Sequence, residues 1–231
     1  MLAISNLSFA YGAVKTIRDV SMTMPTGQIT CVMGRNGVGK TTLMKNIIGV
    51  LKADEGSILV DGKEVVTLPP HKRAKSGVAW VAQGRLIFPK ITVEENLKVG
   101  LEARSDGKRT IPEEIYELFP ILKQFTKRNG GDLSGGQQQQ LAIGRALAGD
   151  PKVLLLDEPT EGIQPNIIQQ IGEVLRMLAT KRNMTIVLVE QYLDFVREFG
   201  QQFYIMNRGQ VAYSGQTSEL SQEVVAQHLS V

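Results

Sequence analysis

The chain has 231 residues, 42% of them hydrophobic and 21% charged, enough to bury a core in one compact unit. Its 26 Lys and Arg against 23 Asp and Glu leave a net charge of +3, and the basic residues are scattered rather than massed in one run, which argues against nucleic acid as a partner. No apolar stretch reaches the ~18 residues that span a bilayer, and the start lacks the basic and apolar segments of a secretion signal, so any membrane association is expected to be by docking.

In chain order, Leu2 to Phe9 and then Val20-Ser21-Met22-Thr23-Met24 alternate apolar and polar residues, the period of half-buried antiparallel strands. Ile29 to Met33 is continuously apolar, as a strand covered on both faces of a parallel sheet should be. Cys31, inside that run and the only cysteine, reads as a small core residue in a reducing compartment. A further strand is expected over Val78-Ala79-Trp80-Val81-Ala82. From Pro112 to Arg128 the residues Ile115, Leu118, Phe119, Leu122 and Phe125 recur at three and four, which predicts one amphipathic helix. It belongs to a helical insertion over roughly residues 88–150. Val153 to Leu156 and Thr185 to Val189 repeat the buried-strand pattern. Between them Ile167, Ile168, Ile171, Val174, Leu175 and Leu178 mark a helix entered through Pro165. The sum is an α/β fold with a mostly parallel central sheet, an antiparallel β-rich front end and an inserted helical part.

Gly34-Arg35-Asn36-Gly37-Val38-Gly39-Lys40-Thr41 fits the spacing GxxxxGK[ST] between a buried strand and a helix starting near Thr41. Glycines there let backbone N–H groups curl inward around phosphates, and the helix N-terminus adds its positive end. Lys40 is then placed to reach the β- and γ-phosphates and the Thr41 hydroxyl to ligate Mg²⁺, with Asn36 and Thr42 alongside. Val153-Leu154-Leu155-Leu156-Asp157-Glu158 is a buried strand ending in two acids, an expensive arrangement unless a cation or a reaction needs them. Asp157 is read as holding Mg²⁺ through water, and Glu158 as the base that takes a proton from an attacking water.

Between these motifs lies Leu133-Ser134-Gly135-Gly136-Gln137, which resembles the signature of ATP-binding-cassette (ABC) proteins. Ser134 and the two glycines can form a nest of N–H donors at the start of a helix running through Leu141 and Ala148, a second anion site. The resemblance covers essentially the whole chain. It implies the P-loop ABC ATPase fold with a RecA-like central sheet, ATP and Mg²⁺ as cofactors, and head-to-tail pairing. In that pairing Ser134, Gly135, Gly136 and Gln137 cover the γ-phosphate bound by the opposite subunit. Tyr11 resembles the aromatic that stacks on adenine. Gln83 resembles the loop glutamine that contacts Mg²⁺ and the attacking water and senses the membrane partner, next to a groove bordered by Gly84 to Pro89. For Leu86, Ile87 and Phe88 in that loop, core packing and permease docking are both open.

Two positions depart from the family pattern. The usual histidine after the strand following the catalytic glutamate is here Gln191, and neither His71 nor His228 is placed to substitute. An amide can only hydrogen-bond where a histidine can also share a proton. In Glu161-Gly162-Ile163-Gln164 a glutamine replaces the aspartate that ends this loop elsewhere. These departures imply slower hydrolysis at the site built on Lys40, and a different ATPase subunit as the partner half. Glu190-Gln191 and Glu161 to Pro165 resemble the ATPase subunits of branched-chain amino-acid and urea importers. Met33 to Gly39, Gly131 to Gln140 and Val189 to Phe195 look closest to the urea member. The implied protein is an importer ATPase on the cytoplasmic face of a bacterial inner membrane, serving urea or, as the alternative, a branched-chain amino acid. Its partners would be transmembrane permease subunits, a second ATPase subunit (a homodimer being possible in isolation) and a periplasmic solute-binding protein. Cassette ATPases acting on nucleic acid or ribosomes usually carry a long coiled coil between the two motifs or two cassettes in one chain, and neither pattern is visible here.

Overall fold

The computed structural model describes residues 1–229. A hairpin of β1 (Leu2–Tyr11) and β2 (Val14–Met24) precedes β3 (Ile29–Met33), which leads into α1 (Lys40–Ile48). There follow β4 (Glu55–Val60), β5 (Lys63–Glu64), α2 (Pro70–Lys75) and β6 (Val78–Val81). Helices α3 (Val93–Gly100), α4 (Glu113–Leu118), α5 (Pro120–Gln124) and α6 (Gly135–Ala148) separate β6 from β7 (Val153–Asp157). The chain closes with α7 (Pro165–Arg182), β8 (Thr185–Val189), α8 (Leu193–Phe199), β9 (Gln202–Asn207), β10 (Gln210–Gln216) and α9 (Gln222–His228). One sheet is antiparallel, in the order β2-β1-β4-β5; the other runs β10-β9-β3-β8-β7-β6 and is parallel except for its β10 edge.

Side chains alternate faces along a strand, so the continuously apolar strands feed two cores at once. Ile29, Cys31 and Met33 of β3, Leu154 and Leu156 of β7, and Ile186 and Leu188 of β8 join one core with residues of α6, α7 and α8. Val32, Leu155, Val187 and Val189 face the other way, onto Leu43, Met44 and Ile47 of α1 and the antiparallel sheet. Every residue of β3, β7 and β8 is buried, and each large aliphatic among them contributes about 1.5–3 kcal/mol of burial. In register, Val32 and Asp157 both pair with Val189, while Leu156 pairs with Val81. The carboxyl ends of β3, β6, β7 and β8 therefore finish level, and the loops after them collect along one edge, where open α/β sheets place their ligands.

Two expectations need correction. The single helix over 112–128 is two helices, because Pro120 bars the preceding residue from helical geometry: Phe119 sits at φ −132° and ψ 76°. The helical period survives across the break, since Ile115, Phe119 and Leu122 are all buried. The helix after the glycine loop begins at Lys40, next to the Thr41 expected for its start, with Gly39 in left-handed geometry before it. The first hairpin is longer than its alternating stretches, since β1 runs to Tyr11 and β2 starts at Val14. Asn6 and Asp19 both adopt positive φ beside register shifts and are joined by an Asn6 Nδ2 to Asp19 Oδ1 hydrogen bond of 2.7 Å. Such bulges interrupt the two-residue period without ending the strand.

Candidate active site

Gly34 and Gly39 fix the loop between β3 and α1. At Gly34, φ is 142° and a Cβ would stand 2.5 Å from the Met206 carbonyl; at Gly39, φ is 110° and a Cβ would stand 3.0 Å from the Thr16 carbonyl. Only glycine tolerates both the backbone angle and the approach. Lys40 Nζ donates to the carbonyls of Gly34 (2.6 Å) and Arg35 (2.9 Å), folding the side chain back under the loop. Burial lowers the Lys40 pKa, opposed by the charges of Glu158, Asp157 and Glu190. The first turn of α1 has no side-chain cap, so its N–H groups and positive end are open to an anion. Asn36 and Gly37 are exposed at the loop's tip, and Thr41 and Thr42 are half-buried on the helix.

Three acids lie at the facing strand ends. Asp157, the last residue of β7, is 1% exposed, and neither of its oxygens has a hydrogen bond of good geometry. Burial pushes its carboxyl pKa up and the Glu158 charge adds to this, while the Thr41 hydroxyl, Lys40 and Lys45 oppose it. Glu158 adopts φ 50°, a conformation that costs a side-chain-bearing residue about 1–2 kcal/mol, and its N–H is tied to the Val189 carbonyl at 2.9 Å. Its carboxylate is held from two sides: Gln83 Nε2 donates to Oε2 at 2.9 Å and Gln191 Nε2 to Oε1 at 2.6 Å. Gln191 Nε2 also reaches Asn36 Oδ1 at 2.9 Å, joining this acid to the glycine loop. Gln83 Nε2 also reaches Glu161 Oε2 at 3.1 Å.

Glu190, 3% exposed, accepts from the Thr160 N–H (3.2 Å) and hydroxyl with one oxygen, and from the N–H groups of Gln191 (2.8 Å) and Tyr192 (3.0 Å) with the other. It thereby fastens the loop after β7 to the loop after β8.

The structure thus brings Lys40, Asn36, Gln83, Asp157, Glu158 and Gln191 to one edge. Ser134 to Gln137 form a separate feature. Ser134 caps α6, its hydroxyl accepting from the Gln137 N–H at 3.4 Å while Gln137 Oε1 accepts from the Ser134 N–H at 2.9 Å. Among the described residues no hydrogen bond joins this cap to the Lys40 loop. Tyr11 ends β1 with its ring 48% exposed and packed edge-on against Phe9 at 4.8 Å. Leu86 and Phe88 are exposed, at 63% and 47%, whereas Ile87 packs on the core. His228 stacks on Tyr213.

Sequence reasoning missed Asn96, took Glu161 and Glu190 only as subfamily marks, and placed Arg85 only in the groove from Gly84 to Pro89. Asn96 is fully buried, accepts from the Phe88 N–H (2.9 Å) and donates to the carbonyls of Phe88 and Thr92 (2.9 Å each), which shapes the loop after Gln83. Its one signal is a polar side chain beside Val93 and Leu97 on the buried face of α3.

A family model described as ABC transporter matches residues 17–161, more than half of the chain. The chain belongs to the ABC transporter family. It is 39% identical over 212 residues to the high-affinity branched-chain amino acid transport ATP-binding protein BraG of Pseudomonas aeruginosa, covering 91% of each chain. It is 37% identical over 223 residues to the probable branched-chain amino acid transport ATP-binding protein LivF of Archaeoglobus fulgidus, covering 95% of this chain and 94% of that one. Among solved structures, an ATP-binding cassette of an ABC transporter superposes with a TM-score of 0.86 at 30% identity, covering 98% and 97%. A dimeric cassette in a post-hydrolysis state bound to ADP and Pi gives 0.82 at 25% identity, covering 94% and 99%. The cassette described here is accordingly an ABC ATPase with the P-loop fold. Among the described residues it has no helix long and apolar enough to cross a membrane.

Proposed function

We propose that this cassette hydrolyses ATP to drive an importer of a branched-chain amino acid. The observation that carries the chemistry is the Glu158 carboxylate, clamped between the Gln83 and Gln191 amides at the edge shared with the Lys40 loop. The solute rests on the relatives BraG and LivF. Their support for a branched-chain amino acid outweighs the motif resemblance to urea importers, so urea becomes the second reading.

In the proposed site the amides of Gly34, Asn36, Gly37 and Gly39 and the open end of α1 take the phosphates. Lys40 exchanges its two loop carbonyls for phosphate oxygens, and the exposed Tyr11 ring offers a face to adenine. Thr41 and Asp157, with Gln83, would hold Mg²⁺; two buried carboxylate oxygens without hydrogen-bond partners suit a cation. Bound there, the ion would neutralise charge building on the phosphates. Glu158 accepts the proton of the attacking water. The amides of Gln83 and Gln191 each occupy one of its oxygens, holding the base in place while leaving further lone pairs for the water.

Ser134, Gly135, Gly136 and Gln137 serve a nucleotide held by a second ATPase subunit, and two subunits related head to tail complete each other's sites. Gln191 offers only an amide where a histidine would share a proton, so this site turns over slowly and its partner is a different ATPase subunit. Permease subunits dock on Leu86 and Phe88, a periplasmic solute-binding protein delivers the solute, and the cassette works on the cytoplasmic face of the membrane. The chain is one nucleotide-binding unit with a helical insertion at about 88–150.

The test is ATP turnover by the complex reconstituted with its permease and solute-binding subunits, supplied with leucine or urea. Stimulation by leucine is expected. Stimulation by urea alone would overturn the solute while leaving the ATPase, and no turnover under either condition would overturn both.

A further inference from the structure

We propose that Arg85 is a positioning residue that fastens the signature half-site to the loop carrying Glu161, so that both follow the movements of the Gln83 loop. This rests on reading Ser134 to Gln137 as the cap over a nucleotide held by a second subunit.

Gly84, Arg85 and Leu86 have φ values of 74°, 70° and 46°, three successive left-handed residues of which two carry side chains that disfavour the conformation. Such a run persists only where its surroundings hold it. Here the Arg85 N–H donates to Ala82 O at 3.0 Å and the Leu86 N–H to Gly84 O at 2.8 Å. Arg145, on the signature helix α6, donates to Leu86 O at 2.8 Å. The curl leaves Leu86 exposed and lays the Arg85 guanidinium between the Glu161 loop and the first turn of α6. Nη2 donates to the Glu161 carbonyl at 3.2 Å. Both terminal nitrogens lie 3.2 Å from where a Cβ on Gly135 would stand, and Nη2 lies 3.8 Å from the same point on Gly162. The absent side chain at Gly135 leaves a flat seat on the first turn of α6 that a planar guanidinium fits.

Among the described residues Arg85 makes no ion pair; what it grips is backbone. Two residues earlier, the Gln83 amide divides between Glu158 and Glu161. One short loop therefore holds the base with its first side chain and the half-site with its third residue, while Leu86 and Phe88 stay exposed beside it. Pressure on those two side chains displaces base and half-site together, so docking on one face alters a nucleotide site in this chain and another in its partner.

The test uses the assembled complex for turnover and the isolated subunit for nucleotide affinity. R85A is expected to lower kcat about tenfold, because misplacing a group by a fraction of an ångström is enough for such a loss. The Kd of the isolated subunit for ATP should stay within about twofold, since the Lys40 loop is untouched. R85K should recover little, because a point charge cannot span Gly135 and the Glu161 carbonyl. G135A, whose methyl group would press on the guanidinium at 3.2 Å, should cost less turnover in an R85A background than alone, the signature of two residues acting through one contact. Wild-type turnover in R85A, full recovery in R85K, or independent losses in the double variant would overturn the proposal. So would a loss of isolated-subunit affinity that matches the loss of turnover. A wild-type subunit with no affinity for ATP would overturn the reading of the site itself, whatever the Arg85 variants do.

Discussion

Replacing Glu158 by glutamine keeps the shape of the side chain and removes its charge. The two carboxylate oxygens each receive one amide donor, from Gln83 at 2.9 Å and Gln191 at 2.6 Å. A glutamine has one acceptor oxygen, so its NH₂ must face one of those donors and one contact is lost. That structural cost is partly offset, because the Glu158 charge also bears on the buried Asp157 carboxylate and disappears with the substitution. The chemical cost is larger. Removing a positioned general base typically loses 10²–10⁴-fold in rate, or about 3–5.5 kcal/mol of barrier at 1.36 kcal/mol per tenfold. Affinity should survive, because Lys40 and the glycine loop make no hydrogen bond to Glu158. The assay is phosphate release by the assembled complex, run beside equilibrium binding of ATP to the isolated subunit. The expected result is intact binding with turnover down at least a hundredfold. Undiminished turnover would remove Glu158 from the role of base, and a parallel loss of binding would make it part of the cradle instead.

Gln191→His tests the amide that joins Glu158 to Asn36. A neutral imidazole has one N–H where the amide has two, so one link is broken, but its second nitrogen can carry a proton to the γ-phosphate. Turnover of the assembled complex should rise, by on the order of tenfold, and an unchanged or lower rate counts against the idea that the glutamine slows this site. Asp157→Asn addresses the cation. In metal-free buffer the variant should be more stable than its parent in chemical denaturation, because burial and the Glu158 charge disfavour the Asp157 carboxylate and the amide carries no charge. Mg²⁺ with ATP should then raise the melting temperature of the parent more than that of the variant; equal shifts would exclude Asp157 as a holder of the ion.

What could be read from the chain depended on how local the physics was. Strands β3, β7 and β8 announce themselves because cover on both faces demands a run in which four of five residues are apolar and all are buried, and the glycine loop is legible because all its parts are contiguous. The clamp on Glu158 is not local: its donors lie 75 and 33 residues away and meet it only because the strands finish level. Pro120 was visible, yet the three-and-four spacing on either side of it outweighed it, since Phe119 and Leu122 both reach the core. Arg85 was legible only as part of the groove from Gly84 to Pro89, because the positioning proposed for it depends on three left-handed residues that no periodicity signals.

Hydrogen bonding sorts the three acids at this edge into different duties. A carboxylate has about four lone-pair sites. Glu190 uses four, on two N–H groups and a hydroxyl-bearing threonine that supplies both an N–H and an O–H; it is saturated as an anchor and has nothing left to offer a water. Asp157 is almost fully buried with the Thr41 hydroxyl nearby but no hydrogen bond of good geometry, a state that costs stability unless a cation supplies what hydrogen bonds do not. Glu158 stands between them, held by two amides with capacity to spare and only half-buried. Of the three, it alone is both oriented and free to accept a proton. Exchanging Glu190 for glutamine should therefore loosen two loops, whereas the same exchange at Glu158 should lose one amide contact and lower turnover at least a hundredfold.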